Sequence, residues 1–331
     1  MTRERLVAVS YPADDDYARI NSEILANDAT IVSTFALDDD QRAEAIRRAD
    51  AVVAWEVPKE IPPGVLATAP RPELLQLLSA GVDAVDFEAL PADLLVASNA
   101  GAYAGPMSEY VLAMTLSLAK GLIQRHAAMA AGRFDKWAPS QVLNDTICAI
   151  LGFGGIGVAT ARLMKAFGAR VHAVSRTGLA SEPAELVTTL ADLDHVLAAA
   201  DILVICLPLT LATRGLIGVR ELALMKPNAI LVNVARAAIV DQEALYEHLR
   251  ANPGFRAGID TWWDEPAGDA PFRTDYPFFE LPNVLGSPHS SSIVPGTMLS
   301  GARAAAENVR RYLRGEHVTG LVRRTDYVAE Q

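Results

Sequence analysis

The chain has 331 residues, 51% of them hydrophobic, and its formal net charge at pH 7 is −11. This length allows two domains, and the acidic balance argues against nonspecific binding to nucleic acid or to anionic membranes. The start of the chain has no apolar signal region, and no apolar stretch is long enough to span a membrane, which predicts a soluble, cytoplasmic protein. Cys148 and Cys206 lie in apolar runs without metal-ligand spacing, which predicts buried thiols and no metal site.

Short apolar runs alternate with helical patterns over the first hundred residues, which is typical of a parallel, doubly wound sheet. The predicted strands of this first array are residues 6–10, 29–33, 51–54, 74–78 and 94–97, with helices at 17–26 and 41–48. Acidic runs at 14–16 and 38–40 precede the two helices, where carboxylates suit the positive end of a helix dipole.

A long apolar helical pattern covers residues 107–131, and a second strand–helix array begins at residue 146. Its predicted strands are 146–151, 170–175, 202–207, 230–234, 255–259 and 284–287, with helices at 156–167, 193–199, 242–250 and 294–313. We therefore expect an α/β fold of two doubly wound parallel-sheet domains. A Rossmann dinucleotide-binding domain at 101–289 is inserted in a flavodoxin-like substrate domain at 1–100 and 290–331, with a ligand cleft between the two. The long helix exceeds what a linker needs, which predicts a symmetric homodimer around it.

The run 146–151 passes directly into a glycine-rich turn that precedes a helical pattern. The turn has glycine at each position of G-x-G-x-x-G and consists of Gly152, Phe153, Gly154, Gly155, Ile156 and Gly157. The first glycine permits the tight turn, the second lets a diphosphate approach the backbone, and the third lets the helix pack on the strand. Strand, turn and helix together predict a dinucleotide site with the diphosphate at the helix N-terminus.

The next predicted strand ends at Ser175, followed by Arg176 and Thr177. In NAD-binding domains an acidic residue at this strand end hydrogen-bonds the ribose 2′-hydroxyl. Here a hydroxyl and a guanidinium replace the carboxylate, and both suit a 2′-phosphate. The sequence therefore favours NADP(H) over NAD(H).

Three later strand ends each carry one polar residue: Arg236, Glu265 and His289. The carboxyl ends of parallel strands face the ligand crevice in open α/β sheets. An arginine holds a carboxylate in a fork, a histidine exchanges a proton near neutral pH, and a carboxylate beside it orients the ring. With a nicotinamide, this set predicts hydride transfer to a 2-keto acid.

Over nearly its whole length the sequence resembles the D-isomer-specific 2-hydroxyacid dehydrogenase family. The second family signature matches Leu207, Pro208, Leu209, Thr210 and Thr213, and the third matches 225–236 and its continuation to Leu245. The spacing from Asp260 to Glu265 and the Pro288-His289 pair also match.

The resemblance implies roles for individual residues. Arg236 binds the substrate carboxylate, His289 is the acid/base, and Glu265 pairs with His289. Ala80 and Gly81 belong to a loop whose backbone N–H groups help to bind the carboxylate. The remaining residues implied at the cofactor site are Leu207, Pro208, Thr213, Val234, Ala235, Asp260 and His289.

Some positions depart from the family pattern, and the substrate stays open. Ala237 stands where glycine is usual, and Ser290–Ser292 replace small apolar residues and glycine. Trp55, Tyr103 and the Phe-rich loop 267–279 are candidates either for contacting the substrate side chain or for ordinary packing. A glyoxylate/hydroxypyruvate reductase that uses NADP(H), or NAD(H) less well, is the leading interpretation. A phosphoglycerate dehydrogenase, a formate dehydrogenase and a dinucleotide-sensing corepressor are the alternatives.

Overall fold

The computed structural model describes residues 4–67 and 72–329, and the chain divides into two compact units. Unit 1 comprises Met1–Tyr103 and Val294–Gln331, and unit 2 is Ala104–Ile293. The chain therefore leaves unit 1 once, builds unit 2, and then returns to complete unit 1 with its last segment.

The described part of unit 1 contains a five-stranded sheet in the order β2-β1-β3-β4-β5. Its strands are β1 (Leu6–Val9), β2 (Thr30–Ser33), β3 (Ala51–Ala54), β4 (Leu74–Leu77) and β5 (Leu95–Ala97). All four pairings are parallel, and the order is that of flavodoxin-like sheets. In the β3–β4 pair, Ala54 lies opposite Leu77, so both strands end at the same level of the sheet.

Unit 2 contains a seven-stranded parallel sheet in the order β12-β11-β10-β9-β6-β7-β8. Its strands are β6 (Ile147–Leu151), β7 (Arg170–Val174), β8 (Leu186–Thr188), β9 (Ile202–Ile205), β10 (Ile230–Asn233), β11 (Arg256–Ile259) and β12 (Val284–Gly286). The order reverses between β6 and β9, which is the switch point of a Rossmann sheet and the place where such sheets bind ligands. Together the two sheets confirm the predicted fold class.

Helices cover both faces of the two sheets, although the helix at Leu122–Ala130 buries no residue. In chain order they are α1 (Asp15–Leu25), α2 (Asp39–Arg48), α3 (Val57–Glu60), α4 (Ala104–Lys120), α5 (Leu122–Ala130), α6 (Gly155–Ala166), α7 (Leu193–Ala199), α8 (Val219–Leu224), α9 (Gln242–Ala251) and α10 (Thr297–Leu313). Each sheet has one buried hydrophobic cluster on either face. Burial on both faces explains why the strands are continuous apolar runs rather than alternating ones.

The two acidic runs begin helices, as predicted. The carboxylate of Asp14 accepts from the backbone N–H groups of Asp16 and Tyr17 at the start of α1. Asp38 accepts from the N–H of Gln41 at the start of α2 in the same way. These N-caps satisfy donors that have no partner within the helix.

The predicted continuous helix over 107–131 is wrong, because Gly121 breaks it into α4 and α5. Gly121 has φ +59°, a left-handed conformation that ends a helix and that glycine adopts without strain. The guanidinium of Arg125 donates to the carbonyl of Lys120 at 2.8 Å and so satisfies a carbonyl at the end of α4. The short elements β8, α3 and α8 are absent from the sequence prediction, and α10 begins at Thr297 rather than at residue 294.

Candidate active site

A tight turn after β10 carries Arg236. The side chain of Asn233 spans this turn: its Oδ1 accepts from the N–H of Ala235 at 3.0 Å, and its Nδ2 donates to the carbonyl of Arg236 at 3.0 Å. The half-buried Arg236 guanidinium donates to the carbonyl of Ala235 at 2.8 Å. Ala237 is buried at the start of a 3-10 turn with an ordinary backbone, so glycine is not required at this position.

Glu265 and His289 lie in contact at the ends of β11 and β12. Nδ1 of His289 is 2.9 Å from Oε2 of Glu265, while Oε1 of Glu265 accepts from the N–H of Trp262 at 3.0 Å. The two side chains are 40% and 39% exposed, so each keeps one side open to solvent. This contact assigns the proton of the neutral ring to Nδ1 and leaves Nε2 available for a reacting group.

The charges around Glu265 favour its ionised form. Partial burial raises the pKa of this carboxyl group. The hydrogen bonds from His289 and Trp262 and the positive charges of His289 and Arg236 lower it by more than burial raises it. The net result is a pKa below the usual value for glutamate. Glu265 is therefore a carboxylate near neutral pH.

Asp260 is fully buried, and its carboxylate is occupied by groups of the neighbouring turn. It accepts from the hydroxyl of Ser287 and from the backbone N–H groups of Ser290 and Ser291. Its backbone carbonyl accepts from the N–H of His289 at 2.7 Å. Positions 290 and 291 contribute backbone N–H groups, so these bonds do not depend on the serine side chains that depart from the family pattern.

The glycine turn has the shape that a diphosphate requires. A Cβ on Gly152, which has φ +96°, would lie 2.6 Å from the carbonyl oxygen of Cys206. A Cβ on Gly157 would lie 2.0 Å from the carbonyl oxygen of Gly152, so close strand–helix packing requires both glycines. At Gly154, by contrast, a Cβ would meet no atom within 4 Å. This open space at the N-terminus of α6 fits a dinucleotide diphosphate.

The end of β7 holds the three residues predicted to select the cofactor. Arg176 and Thr177 are exposed. The hydroxyl of Ser175 donates to the carbonyl of Leu179 at 2.8 Å and thus presents lone pairs outward. With this bond intact the Ser175 hydroxyl has no proton to offer a phosphate, which accepts hydrogen bonds.

The other predicted cofactor residues have buried or half-buried side chains or lie in a loop held by hydrogen bonds. The side chains of Phe153 and Val234 are buried in the core, and Ala235 and Ile156 are half-buried at strand and helix ends. The hydroxyl of Thr213 donates to the carbonyl of Pro208 at 2.7 Å and accepts from the N–H of Thr210, which fixes the loop that begins at Leu207.

In unit 1, the predicted substrate residues lie at the ends of β3 and β4. Trp55 follows β3 and is 43% exposed, and Ala80 and Gly81 lie in the loop after β4. Tyr103 is buried, with its hydroxyl donating to the carbonyl of Leu78 at 2.6 Å, so its role is packing against this loop. In unit 2, Phe272 and Phe279 of the Phe-rich segment pack on Trp262.

Sequence reasoning missed the residues that hold the catalytic candidates in place. Asn233 and Trp262 are examples, since each spans a turn or joins two loops through hydrogen bonds. A buried polar residue at the end of an apolar strand is the available signal, because buried polar groups are nearly always paired.

Two absences concern the described residues alone. Within 4–67 and 72–329, no cluster of three or more His, Cys, Asp or Glu side chains is arranged to hold a metal ion. No helix in this part of the chain combines the length and apolar character needed to cross a membrane.

Comparison with known proteins places this site in a family. Residues 112–291 match the family model of the D-isomer specific 2-hydroxyacid dehydrogenase, NAD binding domain. A glyoxylate reductase of Thermococcus gammatolerans is 32% identical over 288 residues, which cover 84% of each chain. A D-3-phosphoglycerate dehydrogenase of Methanocaldococcus jannaschii is 28% identical over 96% of this chain and 59% of that protein.

A solved structure extends the likeness to three dimensions. It is a D-isomer specific 2-hydroxyacid dehydrogenase of Xanthobacter autotrophicus Py2 in complex with NADPH and MES. That chain is 28% identical, with a TM-score of 0.77 and a coverage of 97% of this chain and 98% of its own. Family model and sequence relatives agree, and the chain belongs to the D-isomer specific 2-hydroxyacid dehydrogenase family, whose members are NAD(P)-dependent oxidoreductases.

Proposed function

We propose that this enzyme reduces a small 2-keto acid of the glyoxylate or hydroxypyruvate type to the D-2-hydroxy acid, with NADPH as the preferred cofactor. The contact of 2.9 Å between His289 and Glu265 carries the proposal, because it supplies a positioned proton donor. Relatives at 30–34% identity that are named glyoxylate reductase support the substrate class.

In this proposal the proton comes from Nε2 of His289. Glu265 accepts a hydrogen bond from Nδ1, which fixes the ring and places a negative charge beside it before the reaction. The nicotinamide, when bound, supplies the hydride. As the keto oxygen gains negative charge, His289 donates its Nε2 proton and becomes neutral, and Glu265 remains ionised.

Arg236 has the role of holding the substrate carboxylate. A guanidinium donates two parallel hydrogen bonds to a carboxylate, which fixes its orientation as well as its position. The two side-chain hydrogen bonds of Asn233 hold the turn that carries this arginine. In unit 1, we assign the backbone N–H groups of Ala80 and Gly81 to carboxylate binding and Trp55 to contact with the substrate. Unit 1 is thus the substrate domain and unit 2 the dinucleotide domain.

The cofactor proposal has two parts. The glycine turn at 152–157 holds the diphosphate, with the open space at Gly154 as its support. Arg176 pairs with a 2′-phosphate, which gives the preference for NADP(H) while NAD(H) remains a weaker cofactor. The family structure solved with NADPH supports this part.

We also propose a homodimer in the cytoplasm. The supporting surface is on α5 and the segment after it, where Leu122, Met129, Phe134 and Trp137 are 54%, 61%, 78% and 81% exposed. Apolar exposure on this scale is typical of an interface. Two free cysteines suit a reducing compartment. Sedimentation of the native protein at micromolar concentration as a monomer would overturn the dimer.

A panel of 2-keto acids tests the activity. Glyoxylate, hydroxypyruvate, 3-phosphohydroxypyruvate and pyruvate are assayed with NADPH and with NADH at matched low salt. We expect the highest kcat/KM with glyoxylate or hydroxypyruvate. A preference for 3-phosphohydroxypyruvate would assign the phosphoglycerate dehydrogenase reaction instead.

Two variants connect the activity to the site. His289→Ala removes the proton donor, which costs about 10²–10⁴-fold in kcat/KM. Arg236→Lys keeps the charge but loses the fork, and we expect a loss of about 10²-fold because the carboxylate is no longer oriented. Near-native activity of both variants with the best substrate would overturn the assignment.

A further inference from the structure

The turn that carries His289 has a backbone conformation that needs support. His289 has φ +52°, and among the described residues it is one of two non-glycine residues with positive φ. Histidine enters this left-handed region more readily than most residues, but neighbouring structure must still hold it there. The direction of the imidazole ring therefore depends on whatever holds residues 287–291.

One residue, Asp260, binds this turn at four points. Its backbone carbonyl accepts from the N–H of His289, and its carboxylate accepts from the hydroxyl of Ser287 at 2.5 Å. The same carboxylate accepts from the N–H groups of Ser290 and Ser291, each at 3.0 Å. Oδ1 thus accepts from two donors and Oδ2 from the third.

Asp260 is itself fixed to the other catalytic segments. It is fully buried, and its own N–H donates to the carbonyl of Asn233, the residue that spans the Arg236 turn. The indole N–H of Trp262 donates to the carbonyl of Ser287, and the backbone N–H of Trp262 donates to Glu265. The ends of β10, β11 and β12 are therefore joined through Asp260 and Trp262.

We infer that Asp260 is a positioning residue, which acts on catalysis by holding His289 against Glu265. This inference rests on the proposed function of the His289–Glu265 pair and extends it to the residue behind them. Replacement of the carboxylate by an amide removes an acceptor and turns an N–H donor toward the N–H groups of the turn. The turn then relaxes, and the ring of His289 leaves Glu265.

The test compares Asp260→Asn with Asp201→Asn. Asp201 also accepts from a backbone N–H, that of Ile147 at 2.8 Å, but it lies at the opposite ends of the strands of the same sheet. Asp201→Asn therefore controls for the loss of a carboxylate that supports the fold. In addition, Ser287→Ala removes one donor to Asp260, whereas Ser287→Thr keeps the hydroxyl and is the conservative rescue.

The first measurement needs no substrate. In protein with ¹⁵N-labelled histidine, the Nδ1 proton bound to Glu265 gives a downfield signal, which disappears in Glu265→Gln and so can be assigned. We expect the signal to disappear in Asp260→Asn, to weaken in Ser287→Ala, and to persist in Ser287→Thr and Asp201→Asn. If Asp260→Asn does not fold, Ser287→Ala and Ser287→Thr still test the inference, because an Nδ1 signal of equal strength in these two variants would overturn it.

The second measurement is kinetic and uses the best substrate of the panel. We expect kcat to fall about 10²-fold in Asp260→Asn, as for a misplaced catalytic group, while the Kd of NADPH stays within about twofold. An intact Nδ1 signal with weakened NADPH binding would make Asp260 a cofactor contact and overturn the inference. If the native protein reduces no 2-keto acid, the proposed function fails, but the Nδ1 signal still tests the link between Asp260 and His289.

Discussion

His289 and Glu265 lie 24 positions apart in the sequence, yet Nδ1 of one is 2.9 Å from Oε2 of the other. Two parallel strands bring them together, since β11 and β12 end side by side with Ile259 opposite Gly286. The loop after β11 returns Glu265 toward the sheet, where the N–H of Trp262 holds its second oxygen. The pair thus depends on strand register and on one backbone hydrogen bond.

This contact predicts how activity depends on pH. Glu265 is ionised near neutral pH and lies 2.9 Å from the His289 ring, so we expect removal of its charge in Glu265→Gln to move the pH profile of reduction toward acidic pH. At pH 7 we expect kcat/KM to fall by about tenfold. The profile of kcat/KM from pH 5 to 9 checks this, with Glu280→Gln, an exposed glutamate of the same unit, as the control. A profile that coincides with that of the native enzyme would show that the carboxylate has no influence on the proton donor.

The substrate loop of unit 1 has its own support, and Tyr103 tests it. The carbonyl of Leu78 accepts from the hydroxyl of Tyr103 at 2.6 Å and from Nδ2 of Asn99 at 3.1 Å. Burial raises the pKa of Tyr103, so the phenol keeps its proton and remains a donor. Tyr103→Phe removes one of the two bonds, a change of about 0.5–1.5 kcal/mol.

If the loop binds the carboxylate, Tyr103→Phe raises KM for the keto acid by about 2- to 10-fold with little change in kcat. Tyr11→Phe is the matched control, because this buried tyrosine bonds Asn21 rather than the loop. Steady-state kinetics at saturating NADPH separates KM from kcat. An equal rise of KM in both variants would point to general destabilisation of unit 1 instead.

Most of the fold could be predicted from local sequence patterns. The apolar runs of β6 and β10 and the glycine turn at 152–157 are contiguous in sequence, and their chemistry depends on neighbours only a few residues away. The parallel arrangement brings the strand ends to one edge of the sheet, so the sequence alone could group Arg236, Glu265 and His289.

What the sequence did not reveal depends on longer-range packing. β8 has three residues and lies at the sheet edge, so its sequence is too short to show the hydrophobic periodicity of a strand. The break at Gly121 requires knowing that the chain turns there rather than continuing the helix. The bonds of Asp260 to Ser287, Ser290 and Ser291 join two strand ends, and no local pattern encodes which donors a buried carboxylate meets.

Cofactor choice gives a further prediction, because Arg176 adds a cation at the strand end where NAD enzymes have an acid. A charge-assisted bond to the 2′-phosphate is worth about 1.5–3 kcal/mol, which corresponds to a preference for NADPH over NADH of about 10- to 100-fold in kcat/KM. Arg176→Ala should remove most of this preference by weakening NADPH. Arg170→Ala, at the opposite end of the same strand, is the control.

Ser175→Asp should reverse the cofactor preference, since the new carboxylate repels the phosphate and accepts the ribose hydroxyls. It also removes the hydroxyl that donates to Leu179 and so loosens the turn. The preference of the native enzyme should weaken as salt rises, because an exposed charge pair is screened. Equal or better use of NADH by the native enzyme at low salt would contradict the proposed role of Arg176.

One buried and one half-buried histidine predict a loss of stability in acid. Burial lowers the pKa of His248, whose ring centroid lies 4.6 Å from that of Phe255 in an edge-on contact and whose buried Nε2 meets no hydrogen-bond partner among the residues that the structure describes. Burial also lowers the pKa of His172, despite the opposing effect of Glu185. Histidine in the unfolded chain titrates at about pH 6.5, so below that pH the unfolded chain binds more protons than the folded one. The free energy of unfolding is therefore highest above the pKa of the unfolded histidines and falls as the pH drops below it.

His248→Phe should reduce this acid sensitivity, because the new ring fills the same site against Phe255 and carries no titrating group. We expect the urea midpoint to drop less between pH 7.5 and pH 5.5 in this variant than in the native protein. His126→Gln, an exposed histidine on α5, serves as the control and should keep the native dependence. An identical drop of the midpoint in native protein and His248→Phe would mean that His248 becomes charged in acid without cost, contrary to its burial.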